Sequence, residues 1–286
     1  MKVKSGARIA FQGERGAFSE GAALKLLGED IVVVPCGSFD ATFSAIQNGS
    51  ADYVLAPMEN SLAGSVHRSF DLLVESGLHI VGEVVIPIVH HLIGVPSASL
   101  DTLTSVESHP VALAQCEQFF IQHPRLKRIV TEDTAGSVRE IMHAGDPRRA
   151  AVASAWAAEM YGAVILQTHL EDDPENYTRF FLLSSTGEVP EDADKISLVF
   201  QLPHLPGALQ QALTPFAQRT INLMKIESRP VRGKPWEYRF YIDLQASSRN
   251  AVTAAALKQL GVFAVDLKIL GSYKSAETVA NNAVKN

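Results

Sequence analysis

The chain has 286 residues, 47% hydrophobic and 20% charged, proportions that suit a soluble protein with one large core or two folded units. Its net charge of −6 argues against the broad basic field that nucleic acid requires. Cys36 and Cys116 stand far apart with no CxxC or Cys/His cluster, which argues against a disulfide framework or a zinc site and for a reducing compartment.

The N-terminus runs straight into an apolar, strand-like segment, with no signal peptide ahead of it. Residues 8–12 predict a strand and 17–27 a helix. A second strand follows at 31–35, then a helix at 39–48 with Phe39, Phe43 and Ile46 on one face. Residues 53–57 predict a third strand, leading into a helix that carries Val66, Phe70, Leu73 and Val74. The most apolar run, Val84 to Val95, is interrupted by Pro87, His90 and His91 and is too short to span a bilayer. A cytoplasmic protein without membrane contact is therefore expected. The alternation resumes with a strand near 104–107, a helix over 109–121, a strand at 128–131, a helix at 135–144 and a strand at 150–153. This order predicts parallel α/β layers.

Residues 186–195 are acidic, proline-containing and weakly apolar, and read as a linker. Beyond them the order changes to strand 196–202, helix 206–218, strands 221–228 and 237–244, helix 249–260 and strand 264–270. That is a βαββαβ, ferredoxin-like plait. The expected division is an α/β region over 1–185, a linker over 186–195 and an α+β domain over 196–286.

In open α/β sheets, ligands sit beyond the carboxyl ends of the strands, where helix starts present free amides. Four junctions are small, polar and hydroxyl-rich: 13–19, 59–65, 108–110 and 133–136. Helix capping favours the same residue types and accounts for Ser38 and Ser65. It accounts less well for Glu59-Asn60-Ser61, because three polar residues precede the cap. Gly13 and Gly16 lack the spacing of a nucleotide loop and read as a tight turn. His90 and His91 are adjacent on one predicted strand and should face opposite ways. With no carboxylate–histidine cluster elsewhere, no metal and no cofactor are expected. At 176–182 a polar start, Asn176-Tyr177-Thr178-Arg179, turns apolar. It is either a solvated strand entrance or a pair of side chains, Thr178 and Arg179, facing a pocket.

Three segments resemble the signatures of prephenate dehydratases: Pro57-x-Glu59-Asn60-Ser61-x-x-Gly64, Ser108-His109-Pro110-x-Ala112-Leu113-x-Gln115-Cys116, and Asn176-x-Thr178-Arg179-Phe180. Asp133-Thr134-Ala135-Gly136 resembles a fourth. Gly207-Ala208-Leu209 and Glu227-Ser228-Arg229-Pro230 are similar to the regulatory motifs of the ACT domain in these enzymes. The segments occur in order between about residue 8 and about residue 273. Val111 departs from the glutamine common beside Pro110. No mutase helix precedes residue 8, so the resemblance is to the monofunctional form.

The resemblance implies a catalytic domain of two lobes, like a type II periplasmic binding protein, with crossovers near 80–95 and 170–180. It implies decarboxylating dehydration of prephenate to phenylpyruvate, with Thr178 at the departing hydroxyl. Glu59, Asn60, Ser61, Ser108, His109, Gln115, Thr134, Ala135, Arg179 and Phe180 would surround the substrate. Arg179 would either hold the side-chain carboxylate or pair with Glu59. L-Phenylalanine would bind Gly207, Ala208, Leu209, Glu227, Ser228, Arg229 and Pro230 as a feedback inhibitor, and the ACT domain would pair chains into a dimer or tetramer. Two other readings are an arogenate dehydratase of the same fold and a non-catalytic amino-acid-binding sensor. The first is separated by rates on the two substrates, the second by the absence of phenylpyruvate formation.

Overall fold

The computed structural model describes residues 3–231 and 233–276. The ends of the predicted division, residues 1–2 and 277–286, lie outside the described residues.

The chain runs β1 (Ala7–Gln12), α1 (Phe18–Leu27), β2 (Ile31–Cys36), α2 (Phe39–Gln47), β3 (Tyr53–Asn60), β4 (Gly64–Ser65), α3 (His67–Ser76) and β5 (His79–Pro87). It continues with β6 (His91–Gly94), β7 (Ser105–Ser108), α4 (Pro110–Ala114), α5 (Glu117–Gln122), β8 (Lys127–Val130), α6 (Thr134–Ala144), β9 (Arg149–Ala153), α7 (Ala155–Tyr161), β10 (Val164–Gln167) and β11 (Tyr177–Ser184). Last come β12 (Lys195–Gln201), α8 (Ala208–Ala217), β13 (Asn222–Pro230), β14 (Tyr238–Gln245), α9 (Ala251–Phe263) and β15 (Asp266–Tyr273).

These strands form three sheets, ordered β2-β1-β3-β11-β5 with β4 on β3, β10-β6-β9-β7-β8, and β13-β14-β12-β15. The first two are the two lobes. The chain crosses from one sheet to the other at 88–90, between β5 and β6, inside the first predicted window, and returns over 168–176, between β10 and β11, overlapping the second. The crossing segments run side by side: Ile88 N–H donates to Asn176 O, and Leu170 N–H to His90 O, both at 2.8 Å. The third sheet has the antiparallel order of a ferredoxin-like plait. Ile196, Leu198 and Phe200 pack with Phe216, Leu257 and Leu260 in its core.

Contacts divide the chain into two compact units, Met1–Leu72 with Val84–Phe181, and Leu73–Glu83 with Leu182–Asn286. The first holds most of both lobes. Its turn at 13–16 is shaped for a neighbour: Gly16 has φ +86°, and a Cβ there would stand 2.9 Å from Ala157 Cα. Ser154 Oγ donates to Gly16 O and Tyr161 OH to Arg15 O, each at 2.9 Å, so the second lobe is fastened to this turn.

The second unit takes in a piece of chain that the predicted division assigned to the α/β region. Glu83, 4% exposed, meets Lys195 Nζ at 2.5 Å and accepts from Ala276 N–H at 2.8 Å. A buried carboxylate needs such partners.

Several expected elements differ in detail. The helix predicted over 109–121 is two helices, because the Asp172 carboxylate accepts from Glu117 N–H at 2.7 Å and Gln118 N–H at 2.9 Å and starts a new one. Ser38 does cap α2, accepting from Ala41 N–H. Ser65 instead lies in β4, paired with Glu59. His90 lies in the crossing segment rather than on a strand.

Candidate active site

The polar side chains singled out in the sequence fall into a cluster on the first lobe and a looser set on the second. On the first lobe, β3 continues to Asn60 before the chain turns and pairs back through β4. Glu59 and Asn60 therefore end a strand and do not open a helix. Leu62 N–H and Ala63 N–H donate to Asn60 Oδ1 at 3.0 and 2.8 Å, the local turn that asparagine favours. With its oxygen so engaged, the Asn60 amide must present its NH₂ to the other side.

There Asn60 Nδ2 donates to Asn176 Oδ1 at 2.7 Å and to Thr178 Oγ1 at 3.0 Å, with Tyr177 O at 3.1 Å. Thr178 Oγ1 is thus an acceptor, and its own proton is directed elsewhere. Ser61 stitches β11 to this turn: its N–H donates to Tyr177 O at 2.8 Å, its Oγ donates to Glu175 O at 2.7 Å and accepts from Tyr177 N–H at 2.9 Å. Burial deepens from the exposed Ser61 through half-buried Asn60 to Thr178 at 8% and Asn176 at 1%.

Strand alternation sends Thr178 and Phe180 to one face of β11 and Arg179 and Phe181 to the other. Arg179 Nη1 is 3.9 Å from Glu59 Oε2, and the guanidinium lies 4.5 Å above the Phe181 ring. Glu59, one of the two partners expected for Arg179, therefore lies beside it. Phe180 is 2% exposed and packs as core.

On the second lobe, Gln115 Oε1 lies 2.9 Å from His90 Nε2. With the amide oxygen on that side, the imidazole would donate from Nε2. Burial pushes the His90 pKa down, outweighing Gln115 and Glu171, which raise it. The Phe18 ring meets His90 edge-on, with centroids 5.7 Å apart, bringing the first lobe's α1 to the second lobe's cluster.

Ser108, fully buried, donates to Val152 O at 2.6 Å, so its proton ties β7 to β9. His109 caps α4, its Nδ1 accepting from Val111 N–H at 3.3 Å, and burial lowers its pKa. Thr134 opens α6, but Asp133 already occupies that start, accepting from Gly136 N–H at 2.6 Å. Burial raises the Asp133 pKa, opposed by its bonds to Gly136 and Ala135. The Ala135 side chain packs with Phe11, Ile93 and Val138, so only its backbone could meet a ligand. The geometry also brings in Asn176 and His90, which the sequence did not single out as ligands. Asn176 was visible as the first residue of the 176–180 segment.

In the second unit, Leu202, Leu205, Ala208, Leu209, Trp236 and Glu237 help to line an open hollow at the start of α8, closed off by Tyr238 and Phe240 of β14. Among the described residues no side chain caps α8, whose N-cap Gly207 has φ +78°. Residues 227–230 do not line the hollow. They stand one strand away, with Ser228 opposite Phe240 and Pro230 opposite Tyr238.

The profile described as prephenate dehydratase matches residues 9–188, and that described as ACT domain matches residues 196–262. Arogenate dehydratase/prephenate dehydratase 2, chloroplastic, of Arabidopsis thaliana is 42% identical over 277 residues, covering 93% of this chain and 72% of that protein. The bifunctional chorismate mutase/prephenate dehydratase of Neisseria gonorrhoeae is 36% identical, over 96% of this chain and 76% of that one. The prephenate dehydratase of Arthrobacter aurescens in complex with L-Phe superposes with a TM-score of 0.85 at 32% identity, over 93% of this chain and 89% of that one. A chain described as GqqA, a novel type of quorum-quenching acylase, superposes with a TM-score of 0.86 at 34% identity, over 94% and 98%.

Proposed function

Because the chain belongs to the prephenate dehydratase family, we propose that it converts prephenate to phenylpyruvate with Thr178 as hydrogen-bond donor to the departing hydroxyl. Aromatisation supplies the driving force, so the protein's task is to orient the ring and assist the C–O bond as it breaks. The observation that carries the assignment is the Asn60 amide. Held by two backbone N–H groups, it donates to Thr178 Oγ1, which leaves the Thr178 proton for the substrate. A hydroxyl that accepts one hydrogen bond is a better donor of another, and its contact strengthens as charge develops on the leaving oxygen. Asn60 and Gln115 are neutral groups at the site. That suits decarboxylation, since a tight cation on the departing carboxylate would hold its charge in place. Arg179, on the opposite face of β11 from Thr178, braces the wall through Glu59.

The regulatory half of the reading assigns residues 1–185 to catalysis and 196–286 to control, joined by 186–195, in a cytoplasmic enzyme. L-Phenylalanine would place its carboxylate on the uncapped α8 start and its ring in the apolar hollow. The outer strand β13 exposes Met224 and Ile226, a surface suited to pairing two ACT domains into a dimer or, doubled, a tetramer. Ser228 and Pro230 on that strand would then approach the partner's ligand.

The similarity to plant arogenate dehydratases favours one second reading, the same elimination on arogenate, which carries an amine in place of the keto group. Purified protein is assayed on both substrates, with and without phenylalanine. Phenylpyruvate from prephenate, formed faster than phenylalanine from arogenate and suppressed by phenylalanine, is the expected result. The reverse rate order would replace prephenate by arogenate, and no turnover of either would remove the reading.

A further inference from the structure

We propose that Asn176 is a catalytic residue, its Nδ2 giving the leaving hydroxyl a second hydrogen bond beside that of Thr178. The inference rests on the dehydratase reading above and names one more group in the same site. Asn176 is 1% exposed, and its Nδ2 is a buried atom without a hydrogen-bond acceptor among the described residues. Its orientation is fixed by what surrounds it. Leu62 and Ala63 N–H set the Asn60 amide, whose NH₂ faces Asn176 at 2.7 Å. A flipped Asn176 would set two NH₂ groups against each other, so the atom left over must be the donor.

Buried amide donors are nearly always paired, and one that is not calls for a partner. We place that partner near Thr178, which shares the Asn60 nitrogen with Asn176 Oδ1. In prephenate the hydroxyl-bearing carbon is across the ring from the carboxylate that is lost, and the dehydratase reading puts the hydroxyl beside Thr178. As the bond from ring to carboxylate breaks, its electron pair enters the ring. The C–O pair leaves with the oxygen as hydroxide, which takes a proton from solvent. Carbon dioxide and phenylpyruvate remain. Two donors aimed at that oxygen, at the most buried point of the cluster, stabilise the charge where water is excluded.

Asn176→Asp separates this role from simple support of Asn60. The aspartate keeps an oxygen for Asn60 but, when ionised, turns the second atom from donor into an anion facing hydroxide. The expected result is a fall in kcat of roughly 10²-fold at pH 8 with KM little changed. Turnover should recover as the pH drops, because a protonated carboxyl donates again and burial favours that form. Asn176→Ser, without charge, should lose turnover without the pH-dependent recovery. An Asn176→Asp enzyme with near-normal kcat at pH 8, or a loss independent of pH, would overturn the proposal. So would loss of the native thermal transition in both variants, which would make Asn176 part of the scaffold. An inactive wild type would bring down the dehydratase reading and this assignment together, whereas an active wild type with an unimpaired Asn176→Asp brings down only the latter.

Discussion

At Thr178 a single hydrogen bond decides which way a proton points. Asn60 donates to its oxygen at 3.0 Å, so in the proposed reaction the side chain would act as donor and not as base. Thr178→Val keeps the shape and the strand preference and removes only that donor. If the bond is made mainly in the transition state, kcat should fall by roughly 10²-fold while KM stays within a few-fold, as steady-state rates on prephenate would measure. A valine enzyme with normal kcat would take Thr178 out of the chemistry. The sequence pattern left this residue open between a solvated strand entrance and a pocket wall, and the resemblance carried by Asn176-x-Thr178-Arg179-Phe180 is what singled it out. Its partner Asn176 was harder to see, since an asparagine before a strand looks like any other turn residue. Ser61 and Ser108 were legible as polar, but the partners of their hydroxyls were not. Their hydroxyl protons go to the carbonyls of Glu175 and Val152, over 114 and 44 residues of chain, and no local pattern records such partners.

Element boundaries follow the same division between local and distant causes. The short strands and the amphipathic helices α2 and α6 were readable because period and capping are local properties. The break between α4 and α5 was not, because the group that starts α5 is Asp172, 55 residues from Glu117. Helix α7 was also missed. It is a single short stretch whose Ala157 is placed to fit against Gly16, a tertiary reason with no periodic signature. Asp172→Ala leaves the first two N–H groups of α5 without their acceptor and should cost about 1–2 kcal/mol of stability, in the range of lost helix caps. Urea unfolding should show a lower midpoint with an unchanged slope. Asp172 N–H also donates to Gln115 O at 2.8 Å, so the same loop carries the segment that places Gln115 on His90. A variant as stable as the parent would mean that water or a neighbouring group replaces the carboxylate at α5.

For the molecule as a whole, the proposed control would couple a ligand on the plait to an elimination in the two lobes. The order βαββαβ was readable from the shift in pattern after 195, and with it the presence of a separate regulatory fold. What the sequence did not disclose is that Leu73–Glu83 belongs to the same compact unit as the plait, through the buried pair of Glu83 and Lys195. Linkage then sets the terms. Phenylalanine can inhibit only by binding the inactive state more tightly than the active one, and substrate must weaken phenylalanine binding by the same factor. Calorimetric titration of phenylalanine, with and without a non-reacting substrate analogue, should therefore give two dissociation constants whose ratio equals the effect of phenylalanine on analogue binding. The regulatory motif supplies the matching variant. Ser228 and Pro230 stand opposite Phe240 and Tyr238, two residues that line the hollow at α8, and lie on the outer strand where a second chain would dock. Ser228→Ala with Arg229→Ala should leave uninhibited kcat within about twofold and raise the phenylalanine needed for half-inhibition at least roughly tenfold, a coupling loss of about 1.4 kcal/mol or more. Full sensitivity in that double variant would move the effector site away from β13, and identical phenylalanine dissociation constants with and without the analogue would mean that the two ligands are not coupled in binding.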